Sequence, residues 1–283
     1  MFQYAAARRL ALLNEDLLKL DTGWFAAPAS GGAERVYELG VFALKAPFAS
    51  PSEVRSLRGA DMRRLPGWLK RALRGCGYQG ARSCITEKHF HFDPGILALK
   101  GDVYLDGYWQ SEKYFSDVAD LLRDDFHIVP EPDSRNRDML EQIRSSGAVS
   151  LHVRRGDYVS SKKTGDFHGV IPINHYSAAV ERIAGMVPDP HFFIFSDDPA
   201  WARENIHPDF PSTFVDHNGP ARAYEDLRLL ANCKHHIIAN SSFSWWGAWL
   251  CPYPDKVVIA PAKWFNRTDL DTSDLIPETW LKL

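Results

Sequence analysis

Three short stretches of the 283-residue chain gather residue types that do chemistry. The first is SLHVRRGDYV, an apolar run that alternates with His152 and Arg154 and then passes through Arg155, Gly156 and Asp157 in a tight turn. Adjacent arginines at a strand end are costly without an anion. A planar guanidinium can grip a pyrophosphate through two parallel hydrogen bonds, which neutralises a departing phosphate without a metal. The structural alternative is a salt-bridged strand end with Asp157 as partner. The second stretch, FIFSDD, ends in Asp197 and Asp198. Asp198 precedes Pro199 and reads as a helix cap, which leaves Asp197 to accept hydrogen bonds from a ribose or a base. The third, HHIIANSSFSWWGAWL, sets Asn240, Ser241, Ser242 and Ser244 at the mouth of a short helix, where N–H groups and hydroxyls make an anion site. Its structural alternative is capping by Ser242 or Ser244, with Trp245, Trp246 and Trp249 in the core. Asp269 and Asp271 form an Asp-x-Asp pair of the kind that holds a divalent cation, but they lie in the polar loop NRTDLDTSD, and no metal is assigned. Walker A and GxSxG patterns are absent, which removes support for kinase and hydrolase functions.

The elements that must hold these residues have a regular rhythm beyond IVPEPDSRN, the natural hinge. AVSLHVRR, HFFIFSDD, STFVDH, HHIIAN and KVVIAP are short apolar runs, with helix candidates in INHYSAAVERIAG, PAWARENI, ARAYEDLRLLANC and SFSWWGAWL. Such alternation predicts a parallel, doubly wound sheet. Ligands in these sheets sit beyond the carboxyl ends of the strands, so His152–Asp157, Ser196–Asp198 and Asn240–Ser244 are expected to line one cleft. The first half is less regular. MFQYAAARRLALLN predicts an amphipathic helix with Phe2, Ala6, Leu10 and Leu13 on one face and no N-cap, followed by a turn at Asn14–Asp16 and a short buried strand in LLKLD. Residues 22–100 are broken by Gly, Pro and Ser, after which DVYLDGYW reads as a strand and SEKYFSDVADLLRDDF as one helix. Two domains are expected, 1–133 and 134–283.

Composition bounds the function. A net charge of -3 gives no global pull toward nucleic acid, and no apolar run reaches the roughly 20 residues that span a bilayer, so a cytoplasmic protein is expected. Cys76, Cys84, Cys233 and Cys251 show no zinc spacing and read as reduced thiols. Nine tryptophans add a mild bias toward carbohydrate. Between residues 53 and 74, Arg55, Arg58, Arg63, Arg64, Lys70, Arg71 and Arg74 face only Glu53 and Asp61. This stretch reads as a solvated helical face, or as a peripheral contact with an anionic membrane.

Taken together, MFQYA, LDGYWQSEKYF, LHVRRGDYV, FHG, FSDD and NSSFSWWGAWL resemble, in order and over almost the whole chain, the α-1,2-fucosyltransferase family of glycosyltransferases. The resemblance implies a GT-B-like α/β fold: two Rossmann-type lobes with a cleft between them. It also implies GDP-L-fucose as donor, a galactose-containing oligosaccharide or glycolipid as acceptor, inversion at the anomeric carbon, and no metal or other cofactor. It assigns Arg154 to the donor pyrophosphate with Arg155 beside it, and His152 toward the nucleoside. Asp197, with Asp198, then lies near guanine or ribose, and Asn240, Ser241, Ser242 and Ser244 near the phosphates. Asp157 is the first choice for the base that takes the acceptor proton, with orientation of an arginine as its other role. Asp166 and His168 are reserves, and Trp109 and Gln110 fall in the acceptor-side motif. Family members carry a GGLGNQ-type loop after a β-strand directly before MFQYA. The chain is therefore expected to begin inside a βαβ unit, and a non-catalytic remnant that binds GDP or glycan is the alternative function.

Overall fold

In a computed structural model, residues 1–25, 36–58 and 83–283 are described, and they divide into two compact units. Unit 1 comprises Met1–His127 with Ser273–Leu275, and unit 2 comprises Ile128–Thr272 with Ile276–Leu283.

Unit 1 opens with helix α1, Phe2–Asn14, which buries Phe2, Tyr4, Ala5, Ala6, Leu10 and Ala11 and ends at Glu15 in the left-handed conformation. Leu13, expected on the buried face, is exposed. The helix has no side-chain cap, but Tyr4 and Arg8 both bond the buried carboxylate of Asp125, which ties it to helix α3 (Ala119–Asp125). LLKLD is not a buried strand: Leu20 makes a single parallel bridge to Phe48, and Leu17 is exposed. One bridged residue cannot cover both faces of an extended segment. Helix α2 spans Pro51–Arg58, and strands β1 (Cys84–Thr86) and β2 (Tyr104–Asp106) pair in parallel. The single helix expected after β2 is broken. Ser111 caps a 3-10 turn at Glu112–Tyr114, a second turn covers Ser116–Val118, and only then does α3 begin. Tyr114 and Phe115 are both fully buried, and Phe115 leaves the helical region at φ -155° to achieve this. Trp109 is held at φ +57°, a conformation that costs a bulky residue about 1–3 kcal/mol unless its surroundings impose it.

Unit 2 is a six-stranded parallel sheet with helices on both faces. In chain order it contains α4 (Ser134–Arg144), β3 (Gly147–Val153), α5 (Gly156–Ser160), α6 (Lys162–His168), α7 (Ile173–Ala184) and β4 (Pro190–Ser196). There follow α8 (Pro199–Asn205), β5 (Ser212–Val215), α9 (Ala223–Asn232), β6 (His235–Ile237), α10 (Ser242–Leu250), β7 (Val258–Ala260) and β8 (Leu281–Lys282). All five strands and four helices expected from periodicity are present, and α4, α5, α6 and β8 are additions. The strand order is β5-β4-β3-β6-β7-β8, with every neighbouring pair parallel. Alternate residues feed two cores. Val149, Leu151, Val153, Phe192 and Ile194 pack under α7 and α8, whereas Ala148, Phe193 and Phe195 pack under α4 and α9. The chain winds outward in both directions from the β3/β6 pair. That pair is therefore the topological switch point, and the crevice beyond its carboxyl ends is where such a sheet takes a ligand.

Candidate functional site

Strand β3 ends at Val153 and hands Arg154 and Arg155 to the switch point. Arg154 Nη1 pairs with Asp197 Oδ2 at 2.9 Å, Nη2 donates to Asp157 Oδ1 at 2.6 Å, and the guanidinium lies 5.4 Å over the Tyr158 ring. The salt-bridged alternative thus describes this strand end, with Asp157 as the carboxylate that orients Arg154. It is compatible with anion binding, because a guanidinium has five N–H donors and these two bonds use two of them. Arg155 is turned toward α8. Its Nε meets Asp198 Oδ2 at 3.3 Å and its guanidinium lies 3.8 Å over Trp201, while its backbone N–H donates to Asp197 Oδ1 at 2.8 Å. Asp197 therefore has both oxygens committed to the arginine strand end, and Asp198 caps α8 through Trp201 N, as expected. Gly156 and Asp157 do not form an isolated turn; they open α5, with Arg155 as its N-cap. Glycine is required there, since a Cβ on Gly156 would stand 2.3 Å from Asp197 Oδ2.

His152 lies two residues before Arg154, against Phe243 at 5.5 Å. It is buried, and desolvation reinforced by the Arg154 charge pushes its pKa down to about 3, so the ring is neutral at physiological pH. Its Nδ1 has no hydrogen-bond partner among the described residues.

The NSS turn divides its labour differently from the expectation. The cap of α10 is Ser241, whose Oγ accepts from Phe243 N, rather than Ser242 or Ser244. Ser244 is buried and donates to the Ala239 and Ser241 carbonyls, which removes it from the ligand-facing set. Ser242 alone of the three is exposed. Trp245, Trp246 and Trp249 are core residues. Asn240 acts as a clamp: Nδ2 donates to the carbonyls of His168 (2.9 Å), Gly169 (3.2 Å) and Trp264 (3.2 Å), and its own carbonyl accepts from Tyr158 Oη at 3.0 Å. These bonds fasten the FHG segment to the switch point. His168 stacks on Tyr158 at 4.6 Å and 7°, so it shares that ring with Arg154, whereas Asp166 is exposed on α6.

Trp109 and Gln110 belong to unit 1. Trp109 is a core side chain rather than a sugar platform, and Gln110 is half-buried. Among the described residues no three or more His, Cys, Asp or Glu side chains are grouped to hold a metal, and Asp269 of the Asp-x-Asp pair is ion-paired with Arg267. Cys233 is a free, buried thiol, Cys251 Sγ donates to the Cys233 carbonyl, and Cys76 lies outside the described residues. So does most of the basic stretch 53–74. Within its described part, Glu53 pairs with Lys19 and Arg58 meets Asp106 at 3.7 Å. No helix among the described residues is long and apolar enough to cross a membrane.

Sequence reading missed a polar network beyond the end of β5. The buried Asn136 on α4 bonds Asp133, His217 and Asn218, and Asn218 in turn bonds Asp226 on α9 at 2.9 Å. The polar residues directly after STFV were its only trace. Burial pushes the Asp226 carboxyl up to about 6, against the smaller opposing effect of the Asn218 bond. The unfolded chain ionises near 3.8. Between roughly pH 4 and 6 the native state therefore holds more protons than the unfolded state, and this group's contribution to stability is lost as pH rises through that window. Asp226→Asn is expected to raise stability at pH 8 by up to about 3 kcal/mol and to leave it unchanged at pH 3.5, as read by urea denaturation at both pH values. Equal effects at the two pH values would contradict this.

A six-stranded, all-parallel sheet with helices on both faces and an oriented arginine at its switch point defines the class: a doubly wound α/β domain, in which ligands bind beyond the carboxyl ends of the strands. The chain belongs to glycosyltransferase family 11, since the model described as "Glycosyl transferase family 11" matches residues 95–282. It is an enzyme that moves a sugar from an activated donor to an acceptor. An α-1,2-colitosyltransferase of Escherichia coli is 31% identical over 100% of this chain and 94% of its own length. The O-antigen biosynthesis glycosyltransferase WbnK of Escherichia coli is 30% identical over 100% and 96%. The galactoside 2-α-L-fucosyltransferase SEC1 of Bos taurus is 30% identical over 52% of this chain and 42% of its own. Among solved structures, fucosyltransferase NodZ from Bradyrhizobium aligns with a TM-score of 0.42 and 16% identity, over 89% of this chain and 88% of that one.

Proposed function

We propose that the protein is a galactoside α-1,2-L-fucosyltransferase: it moves fucose from GDP-L-fucose to the 2-hydroxyl of a galactose in a cell-surface glycan, with inversion and without a metal. The observation that carries this reading is Arg154, held at the switch point by two carboxylates with further N–H donors to spare. The acceptor oxygen bonds to the anomeric carbon as the bond from that carbon to the diphosphate breaks. GDP leaves with the electron pair, and Arg154 stabilises the charge that develops on it. Ser242 and the first N–H groups of α10 supply neutral donors to the same diphosphate. The acceptor proton passes to Asp157 in this reading, with His168 and Asp166 as the other acceptors within the same segment. The names of the SEC1 and colitosyl relatives support an α-1,2 linkage and a 6-deoxy sugar donor.

Labelled GDP-L-fucose supplied with lactose is expected to yield an α-1,2-fucosylated product, at a rate unaffected by excess EDTA. GDP-L-colitose run in parallel tests the competing donor. Transfer from colitose alone would overturn the fucosyl assignment, and inhibition by EDTA that manganese reverses would overturn the metal-free mechanism. GDP binding with no transfer to any galactoside would return the chain to the non-catalytic alternative.

A further inference from the structure

Strands β1 and β2 of unit 1 end side by side, with Thr86 opposite Asp106, and the residues that follow them form one tightly built turn. The carboxylate of Glu87 accepts two consecutive backbone N–H groups, Oε2 from Tyr108 at 2.8 Å and Oε1 from Trp109 at 3.0 Å. Gly107 is pressed against the same side chain so closely that a Cβ would stand 2.4 Å from Glu87 Cβ, and its carbonyl accepts from Gln3 Nε2 at 2.7 Å. Burial raises the Glu87 pKa, opposed by these two N–H bonds.

This scaffold has a specific product. It forces Trp109 into the left-handed region with its indole in the core, and the alternation of direction along the turn leaves the neighbouring Tyr108 ring 65% exposed. Strain that is imposed by a half-buried carboxylate, and that presents one flat ring at the carboxyl ends of two parallel strands, is the kind retained for binding. A phenol ring offers its face to the C–H face of a pyranose, and Gln110 beside it offers an amide to sugar hydroxyls. We infer that Tyr108 is a stacking platform for a sugar residue of the acceptor glycan and that Glu87 is the residue that positions it. This rests on the glycan-acceptor part of the proposed function and goes beyond it by naming the contact.

The test reads acceptor binding without turnover, by saturation-transfer NMR of lactose on the full chain, beside calorimetry with GDP. Tyr108→Ala is expected to weaken lactose binding by about tenfold and to leave GDP affinity within about twofold, and Tyr108→Phe is expected to keep both. Glu87→Gln turns an N–H donor toward a backbone N–H; it is expected to raise the acceptor KM with kcat at saturating acceptor retained, a split that general destabilisation would not produce. Lactose binding by Tyr108→Ala equal to wild type overturns the inference, as does an equal loss of GDP affinity or the absence of a lactose signal from the wild-type protein. A wild-type protein that binds lactose but transfers no sugar would instead remove the proposed function and leave the platform standing.

Discussion

Arg154→Ala is expected to lower kcat/KM for sugar transfer by about a thousandfold, near the upper end of what removal of one fixed charge stabiliser costs. Two effects add. Under the proposed mechanism the variant loses the donor assigned to the leaving diphosphate, and it leaves Asp157 and Asp197 without the guanidinium that pairs them. The second effect also predicts weaker GDP binding, increasingly so at low ionic strength, where repulsion between anions is least screened. Arg154→Lys restores the charge but not the planar fork that meets Asp157 and Asp197 through separate nitrogens, and should recover only a small part of the activity. Initial-rate kinetics with GDP calorimetry measure both, and an alanine variant within tenfold of wild type would remove Arg154 from the mechanism.

Gly156→Ala is expected to cost about a hundredfold in kcat, although the glycine touches no ligand, because displacing a positioned group by about an ångström has that effect. A methyl at this position would collide with Asp197 Oδ2, which cannot retreat cheaply while it holds Arg154 and the Arg155 N–H. The effect should therefore pass through Asp197. In the Gly156→Ala/Asp197→Ala double variant the loss is expected to be no greater than in Asp197→Ala alone, since the clash partner is gone. Additive losses in the double variant would show that Gly156 acts by another route.

These two residues illustrate how much of the site was legible. HVRRGD could be read as an anion grip because adjacent arginines at a strand end need a counter-charge, and that holds whatever fold surrounds them. Asp157 is legible as a partner from its place in the same turn, but Asp197 is not: it lies 43 residues beyond Arg154 and reaches it only because β3 and β4 pair in parallel with Val153 opposite Ser196. The serines were found as a group by composition, but capping geometry separates Ser241 as cap, Ser244 as core and Ser242 as exposed hydroxyl. Asn240 is expected among the ligand contacts from its place at the mouth of a helix; its amide instead donates to three carbonyls brought from distant loops. In unit 1 the failure was one of periodicity. An apolar run such as LLKL has the pattern of a strand whether or not a neighbour exists to pair with it.

The sequence by itself determined the alternation of short apolar strands and amphipathic helices in unit 2, and with it the parallel sheet, because side-chain period and burial are local properties of the text. It also determined which strand ends carry arginine, aspartate and serine. Tertiary structure alone decided the pairing of those ends, the neutral state of His152, the strained turn over Glu87 and the polar network around Asp226. Each of these depends on desolvation or on contacts between segments far apart in the chain, and such energies do not exist until the chain has folded.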